Sequence, residues 1–300
     1  MAKPREIKKR IKAVNNIRRI TRTMQLIATS KFARAQQKAT ATKPYTEGVY
    51  ALVTELGATA GNIEHPLITG VPAGRGKGEL TLVMTSDRGL CGPYNGSVLR
   101  TAMTHFKKTK AASPDGGGVI ELVGKKGAGF LRFNRVPVAT LHTLGDKATF
   151  EDVARLADTY MARFVAGEVS AVRVVYMRYL SAGRQTPEVL QLLPLKPPAV
   201  KAKTGGSADA GGGIQAQYEF SPPAEELLND LLPTTVKATL FQCLNDAIVS
   251  EHVARMVAMK SATDNSGKMR KSLTRDLNRA RQAMITTELT EIVSGAAALA

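Results

Sequence analysis

The chain has 300 residues with an ordinary apolar fraction of 43%, enough for one large domain or two modest ones. Its two cysteines, Cys91 and Cys243, are far apart and its four histidines do not cluster, so no zinc or disulfide framework is predicted and a reducing compartment is favoured. The sequence lacks a signal-peptide core and an apolar run of about 18 residues, so we expect a soluble protein that reaches a membrane only through partners.

Positive charge is concentrated at the start of the chain. The net charge is +17, and residues 1–43 carry 13 Lys or Arg against the single acid Glu6. Residues 224–300 are neutral, with nine basic and nine acidic side chains. A basic helix indicates an acidic partner such as nucleic acid, anionic lipid or an acidic protein surface, or else a solvated helix face.

The first predicted element is a long helix from Arg5 to about Leu56. Pro44 is expected to kink this helix rather than end it, because helical sequence follows it. Such length without internal caps favours a coiled coil. The apolar residues that form its predicted stripe, at steps of three and four, are Ile7, Ile11, Val14, Ile17, Ile20, Met24 and Ile27.

The middle of the chain predicts a Rossmann-like α/β domain over residues 78–195, after a Gly-rich linker at 69–78. Because strands alternate with helices, we expect a mostly parallel sheet covered on both faces. A Gly- and Pro-rich tract at 196–218 predicts a mobile loop. Strands are predicted at 79–85, 119–123, 138–141, 171–179 and 188–193, and helices at 94–110, 126–133 and 150–164, the last capped by Thr149.

Residues 222–300 predict a second long helix with a narrow seam. Pro233 and the turn-like stretch Asp264–Gly267 predict breaks, so propensity alone divides this segment into three helices. Both ends of the α/β insert leave from one place, so the terminal helices (1–57 and 222–300) are expected to pair as an antiparallel coiled coil. The predicted seam residues are Val236, Leu240, Cys243, Ala247, Ser250, Ala254, Val257 and Ser261, then Leu273, Leu277, Ala280 and Met284.

Two glycine-rich turns stand where α/β folds place phosphate. The turn at 85–97 follows a strand and opens a helix, and a second candidate spans Gly124–Gly129, but neither matches a nucleotide-binding motif. Cys91 has no neighbouring histidine to activate it. We interpret the glycines as permitting tight turns, and we predict no catalytic, cofactor or metal site.

Three parts of the chain carry recognisable strings. They are EIKKRI at 6–11 with ITRTMQLIA at 20–28, SDRGLCG at 86–92, and ARMVAMKSATDN at 254–265 with ARQAMIT at 280–286 and ELTEIVSGA at 288–296. Together they resemble the gamma subunit of F-type, proton-translocating ATP synthase. The chain lacks the closely spaced cysteine pair of light-regulated chloroplast gammas, which favours a bacterial source.

The resemblance implies a central rotor shaft that couples proton-driven rotation of a membrane c-subunit ring to ATP synthesis, and that is not itself catalytic. The implied partners are three alpha and three beta subunits, epsilon and the c ring, with no nucleic acid and no cofactor. The implied location is the cytoplasmic face of the bacterial plasma membrane, as a peripheral protein. The resemblance also implies that the last helix continues through Asp264–Gly267, contrary to propensity.

By family position, ten residues are expected to contact the stator around the shaft. Met24 and its neighbours should lie near an acidic lever of beta, and the residues from Arg281 onward near loops of beta that catch the shaft. Two alternatives remain open: a coiled-coil nucleic-acid-binding protein that uses the basic helix, and an α/β nucleotide-binding enzyme. The ten residues are Met24, Lys31, Arg255, Met256, Lys260, Arg281, Gln282, Thr286, Glu288 and Thr290.

Overall fold

The computed structural model describes residues 4–59, 65–70, 78–112, 118–145, 148–195 and 224–299. The predicted loop at 196–218 lies outside these ranges, as does most of the predicted linker. The elements are α1 (Pro4–Thr59), α2 (Pro66–Thr69), β1 (Glu79–Met84), α3 (Tyr94–Ala112), β2 (Val119–Val123), α4 (Lys125–Phe133), β3 (Thr140–His142), α5 (Phe150–Val165), β4 (Ala171–Ser181), β5 (Arg184–Leu193) and α6 (Ala224–Leu299).

The chain divides into two compact units, and α1 and α6 contribute to both. The first, called here the helical unit, comprises Met1–Phe32, Leu90–Gly92 and His252–Ala300. The second, the α/β unit, comprises Ala33–Gly89 and Pro93–Glu251. Among the described residues, no helix is both long and apolar enough to cross a membrane.

The α/β unit is built on a five-stranded sheet with the order β3-β2-β1-β4-β5. β1 pairs in parallel with β2 and β4, β2 pairs in parallel with β3, and β5 is antiparallel to β4. The predicted mostly parallel sheet is therefore confirmed. The third strand begins later than predicted because Pro137 has no amide hydrogen, and the first contact to β2 is Ala139 N to Ile120 O at 2.8 Å. The fifth strand begins earlier, because Pro187 is accommodated on an edge strand.

Side chains of α5 and α6 complete the core of the α/β unit. All six residues of β1 are buried. Thr149 begins α5 with a full capping box, in which its hydroxyl accepts from Asp152 N and the Asp152 carboxylate accepts from Thr149 N. Tyr160 and Phe164 on α5 are completely buried in the same core.

The predicted break at Pro233 is wrong. α6 continues through this residue between Leu232 and Val236, which are both fully buried. The hydroxyls of Thr234 and Thr235 donate to main-chain carbonyls one turn earlier, at 2.9 and 2.7 Å. Packing of this buried turn offsets the roughly 3 kcal/mol penalty of an interior proline.

In the helical unit, α1 and α6 pair antiparallel, as predicted. The hydroxyl of Thr263 donates to that of Thr21 at 2.8 Å, and Gly267 lies beside Arg18. The predicted turn at Asp264–Gly267 is wrong, because α6 is helical through all four residues. Here the resemblance, and not propensity, gave the correct expectation.

The seam differs from the predicted stripes. On the part of α1 that belongs to the helical unit, the buried positions are Ile7, Val14, Thr21 and Ala28, at strict steps of seven, whereas Ile17, Ile20, Met24 and Ile27 are exposed. Each step of three residues turns the helix by about 300°, or 60° short of a full turn. The two such steps from Val14 to Ile20 therefore rotate the predicted stripe away from the partner helix. On α6, Val257, Ser261 and Met284 are exposed, contrary to prediction. The inward positions are Met256, Met259, Thr263, Ser266, Arg270, Leu273, Leu277 and Ala280.

Candidate functional site

The ten predicted contact residues all belong to the helical unit and fall into two groups. In the first group, Met24 and Lys31 on α1 lie near the level of Arg255, Met256 and Lys260 on α6, because Thr21 stands opposite Thr263 in an antiparallel pair. The second group begins about 30 Å further along α6, at 1.5 Å per residue, and comprises Arg281, Gln282, Thr286, Glu288 and Thr290. Arg255 and Met256 are half-buried and the other eight are exposed.

The last part of α6 has no partner helix among the described residues. The register places Pro4, the first described residue of α1, at the level of Ala280. From Met284 to Ala297 every residue is exposed, and Ile292 is 72% exposed. We call residues 284–297 the bare end. Such a run of exposed apolar side chains suits a partner surface that covers it.

The apolar residues of the bare end do not continue the seam. Ile285, Leu289, Ile292 and Ala296 follow one another at steps of four, three and four. The seam positions Leu277 and Ala280 extend instead to 284, 287 and 291, which are one or two residues before Ile285, Leu289 and Ile292. One residue corresponds to about 100° around the helix. The apolar stripe of the bare end therefore faces a direction that a longer α1 would not cover.

A second exposed apolar stripe lies on α1. Ile17, Ile20, Met24 and Ile27 are between 37% and 56% exposed. Beside it, Asn15, Arg18, Arg19 and Arg22 form a groove of about 430 Å³ with Thr263 and Asp264 on α6. Three guanidinium groups against one carboxylate make this groove positive. A stripe of apolar side chains flanked by arginines suits a partner surface that is acidic and partly apolar.

In the α/β unit, the crevice where such folds bind nucleotides is filled. It lies at the carboxyl ends of β1 and its neighbours, where Leu244, Ala247 and Ile248 of α6 line it together with Thr85 and Gly124. The cavity that remains measures about 30 Å³. That volume holds about two water molecules, so a nucleotide does not fit.

Comparison with known proteins decides the family. A family model described as ATP synthase matches residues 3–299. An ATP synthase gamma chain of Rhodopirellula baltica is 38% identical over 100% of this chain and 99% of its own length. One of Leptospira biflexa is 37% identical over the whole of both chains. The chain belongs to the ATP synthase gamma-chain family.

Solved structures agree with this assignment at the level of the fold. A chain in the cryo-EM structure of the Euglena gracilis mitochondrial ATP synthase rotor matches with a TM-score of 0.61 at 16% identity. The match covers 94% of this chain and 98% of that chain. The resemblance drawn from the sequence strings is confirmed.

In this gamma-chain family member, the SDRGLCG turn is held by hydrogen bonds and close packing. Within the α/β unit, Ser86 N donates to Asn95 Oδ1 at 3.0 Å, and Asn95 Nδ2 donates to Ser86 Oγ at 2.7 Å. Within the helical unit, Gly92 has φ +54°, and a Cβ there would lie 3.5 Å from Ala258 Cβ. Gly124 has φ +88°, and a Cβ there would lie 2.1 Å from Thr85 O. Both glycines thus occupy backbone conformations that other residues rarely adopt.

Sequence reasoning missed a buried polar network around Glu121 on β2. Its carboxylate accepts from Tyr160 Oη at 2.8 Å and Arg163 Nη1 at 3.1 Å, and lies 2.6 Å from His142 Nε2. Burial alone would raise the pKa of Glu121, but hydrogen bonds from His142 and Tyr160 outweigh it and hold the pKa below its usual value. These groups lie on β2, β3 and α5, so no short sequence motif joins them. The network ties β3 and α5 to β2.

Proposed function

We propose that this chain is the central rotor shaft of an F-type ATP synthase, which transmits proton-driven rotation of a membrane c ring to ATP synthesis at beta subunits without being catalytic itself. The observation that carries the proposal is the bare end of α6. Its fourteen residues are all exposed and bear an apolar stripe that α1 does not cover. A ring of three alpha and three beta subunits supplies the apolar sleeve that such an end requires.

The seam of the helical unit suits a part that bears torque. Buried hydroxyls at Thr21 and Thr263 bond across it, and small residues such as Ala28 allow close packing of the two helices. Polar pairs at seam positions specify the register of a coiled coil. A pair with one register transmits a twist from one level to the next, whereas a pair that slides absorbs it.

The non-catalytic role is supported by the filled crevice of the α/β unit. Leu244 and Ile248 occupy the place where a nucleotide would approach the sheet. We propose that ATP chemistry belongs to the beta subunits, and that epsilon and the c ring grip the α/β unit of this chain.

We further propose that the predicted contact residues touch the stator in two places. Met24, Lys31 and Lys260 are exposed at one level of the helix pair, next to the positive groove of α1. That charge fits the acidic lever of beta. Arg281 and Gln282 are exposed at the start of the bare end, where they can donate to loops of beta.

Single cysteines test the sleeve directly. Both native cysteines are buried, so an introduced cysteine is the main reactive site. The chain carrying Ile292→Cys is labelled with a maleimide alone and after assembly with purified alpha and beta subunits. We expect labelling to slow at least tenfold on assembly. Phe133→Cys, at an 87% exposed position of α4, is the matched control and should label equally in both states.

Two results would contradict the shaft. One is equal labelling of Ile292→Cys in the free chain and in the mixture. The other is failure of the chain to co-elute with alpha and beta as one heavy complex. Salt-sensitive retention on DNA with no such complex would support the nucleic-acid alternative instead.

The contact assignment has its own test. The double substitution Arg281→Ala and Gln282→Ala should lower coupled ATP synthesis severalfold in membranes that contain the whole complex. The matched control is Arg100→Ala with Lys107→Ala, on the exposed face of α3 in the α/β unit. Unchanged synthesis in the bare-end variant would show that these two side chains are not contacts, while leaving the shaft itself standing.

The proposed location is the cytoplasmic face of a bacterial plasma membrane, as a peripheral subunit. The chain should sediment with membranes and be released, together with alpha and beta, by washing at low ionic strength with a chelator. Retention of the chain in detergent-soluble membrane after that wash would contradict a purely peripheral attachment.

A further inference from the structure

A groove of about 470 Å³ opens on the α/β unit between α1, α6 and the β4–β5 hairpin. This volume is in the range of small-molecule sites. The apolar part of its lining is formed by Tyr179, Leu180 and Leu190. Asp246 of α6 also lines the groove. The gamma-family role described above uses none of these groups.

The charged side chains that line the groove include two cations and three carboxylates. Lys43 Nζ lies 3.6 Å from Glu47 Oε1 on the same helix. Arg178 Nη1 lies 3.3 Å from Glu188 Oε2 across the hairpin. Each pair neutralises itself, so Asp246 gives the lining a net charge of −1.

Asp246 is held in place by neutral donors. Gln242 Nε2 donates to its Oδ1 at 2.9 Å, and the Tyr179 amide also bonds to the carboxylate. Gln242 is in turn fixed by the Thr42 hydroxyl, which donates to Gln242 Oε1 at 3.2 Å. Burial raises the pKa of Asp246 to about 6, although Gln242, Tyr179, Arg178 and Lys43 all act to lower it. The ionised carboxylate is thus oriented and incompletely compensated.

We propose that this groove binds a small protonated primary amine with an apolar body. The ammonium pairs with the Asp246 carboxylate, and the body lies against Tyr179, Leu180 and Leu190. An ammonium offers three donors to a carboxylate that retains free lone pairs, and a charge-assisted bond in a partly desolvated site is about twice as strong as a neutral one. One positive charge neutralises the groove, so a monocation is favoured over an anion or a dication.

The test uses 4-fluorophenethylamine as the probe and ¹⁹F NMR of the full-length chain as the readout. We expect saturable binding at pH 7.5. The neutral analogue 4-fluorophenethyl alcohol should bind at least tenfold more weakly. For the wild-type chain, affinity should fall about tenfold between pH 7.5 and pH 5, because a carboxyl with a pKa of about 6 is then mostly protonated while the amine stays charged.

Asp246→Asn should lower the affinity for the amine at least tenfold. The matched control is Asp158→Asn, which removes a half-exposed carboxylate of the same unit, paired with Lys237 at 2.8 Å outside the groove. This control should bind like the wild type. The proposal is overturned by absence of binding at millimolar probe, by equal binding of amine and alcohol, or by equal affinity of the Asp246→Asn variant. The wild-type pH profile decides the matter if that variant does not fold.

Discussion

Replacing Asp246 by Asn should change how the stability of the chain depends on pH. The pKa of this carboxyl is raised from 3.8 to about 6, chiefly by burial. A carboxyl whose pKa is raised on folding holds its proton more tightly in the folded chain than in the unfolded one. Its ionisation therefore destabilises the fold above about pH 6, and this penalty is relieved as the pH falls from about 6 toward 3.8.

The magnitude follows from the size of the shift. About two pKa units correspond to about 3 kcal/mol as an upper limit, and since Asp246 is only half-buried, screening by water reduces this to about 1–2 kcal/mol. The asparagine keeps an oxygen for Gln242 Nε2 but leaves the Tyr179 amide with a poorer acceptor, which costs about 0.5–1 kcal/mol. The variant should thus be slightly more stable than the wild type at pH 8 and slightly less stable at about pH 3.5, where the wild-type penalty is nearly gone.

Urea denaturation of both full-length chains, followed by circular dichroism between pH 3.5 and pH 8, measures this difference. Contributions from all other titrating groups cancel in the comparison. We expect the two stability curves to cross at about pH 4.5, where the penalty in the wild type has fallen to the cost of the asparagine. Curves that run parallel over the whole range would refute the reasoning, because they would show that the carboxyl titrates alike in the folded and unfolded chains.

Two further experiments probe the backbone and the seam. Gly124→Ala should destabilise the α/β unit by about 3 kcal/mol or more, because φ is +88° and the new Cβ would meet Thr85 O. Gly129→Ala on α4, which has open space around it, should instead stabilise the unit by about 0.5–1 kcal/mol. The melting temperatures of the two variants should therefore shift in opposite directions. Thr21→Val and Thr263→Val, combined in a double-mutant cycle by urea denaturation, should show a coupling of about 1 kcal/mol across the seam, and additive effects would mean that the 2.8 Å hydrogen bond contributes nothing.

The strands and short helices were largely predictable because their signals are local. The capping box that begins α5 is set by Thr149 and Asp152, three residues apart. The sheet strands are short β-branched runs between turns. By contrast, Pro233 and Gly267 are local signals for breaks that packing overrides, since α6 is buried on the sheet at one and pairs with α1 at the other.

The seam was mispredicted for a different reason. α1 bears two apolar stripes, and only their exposure in the structure tells which one faces α6. The pattern of apolar residues favoured Ile17 and Ile20 as seam positions. The residue that contacts α6 is instead Thr21, which is polar and so does not belong to that pattern. The Asp246 groove and the Glu121 network were beyond prediction too, because each joins residues from several elements that are distant in the chain.

The bare end has a consequence for the life of the chain in a cell. In a copy that is not assembled with partners, the fourteen residues of the bare end are exposed, with Ile285, Leu289 and Ile292 on one face. This terminal segment is then open to proteases and prone to aggregation. Once that terminus is enclosed, neither proteases nor other copies can reach it. We therefore expect surplus copies to be degraded or to aggregate, so that abundance follows the supply of the subunits that enclose the terminus.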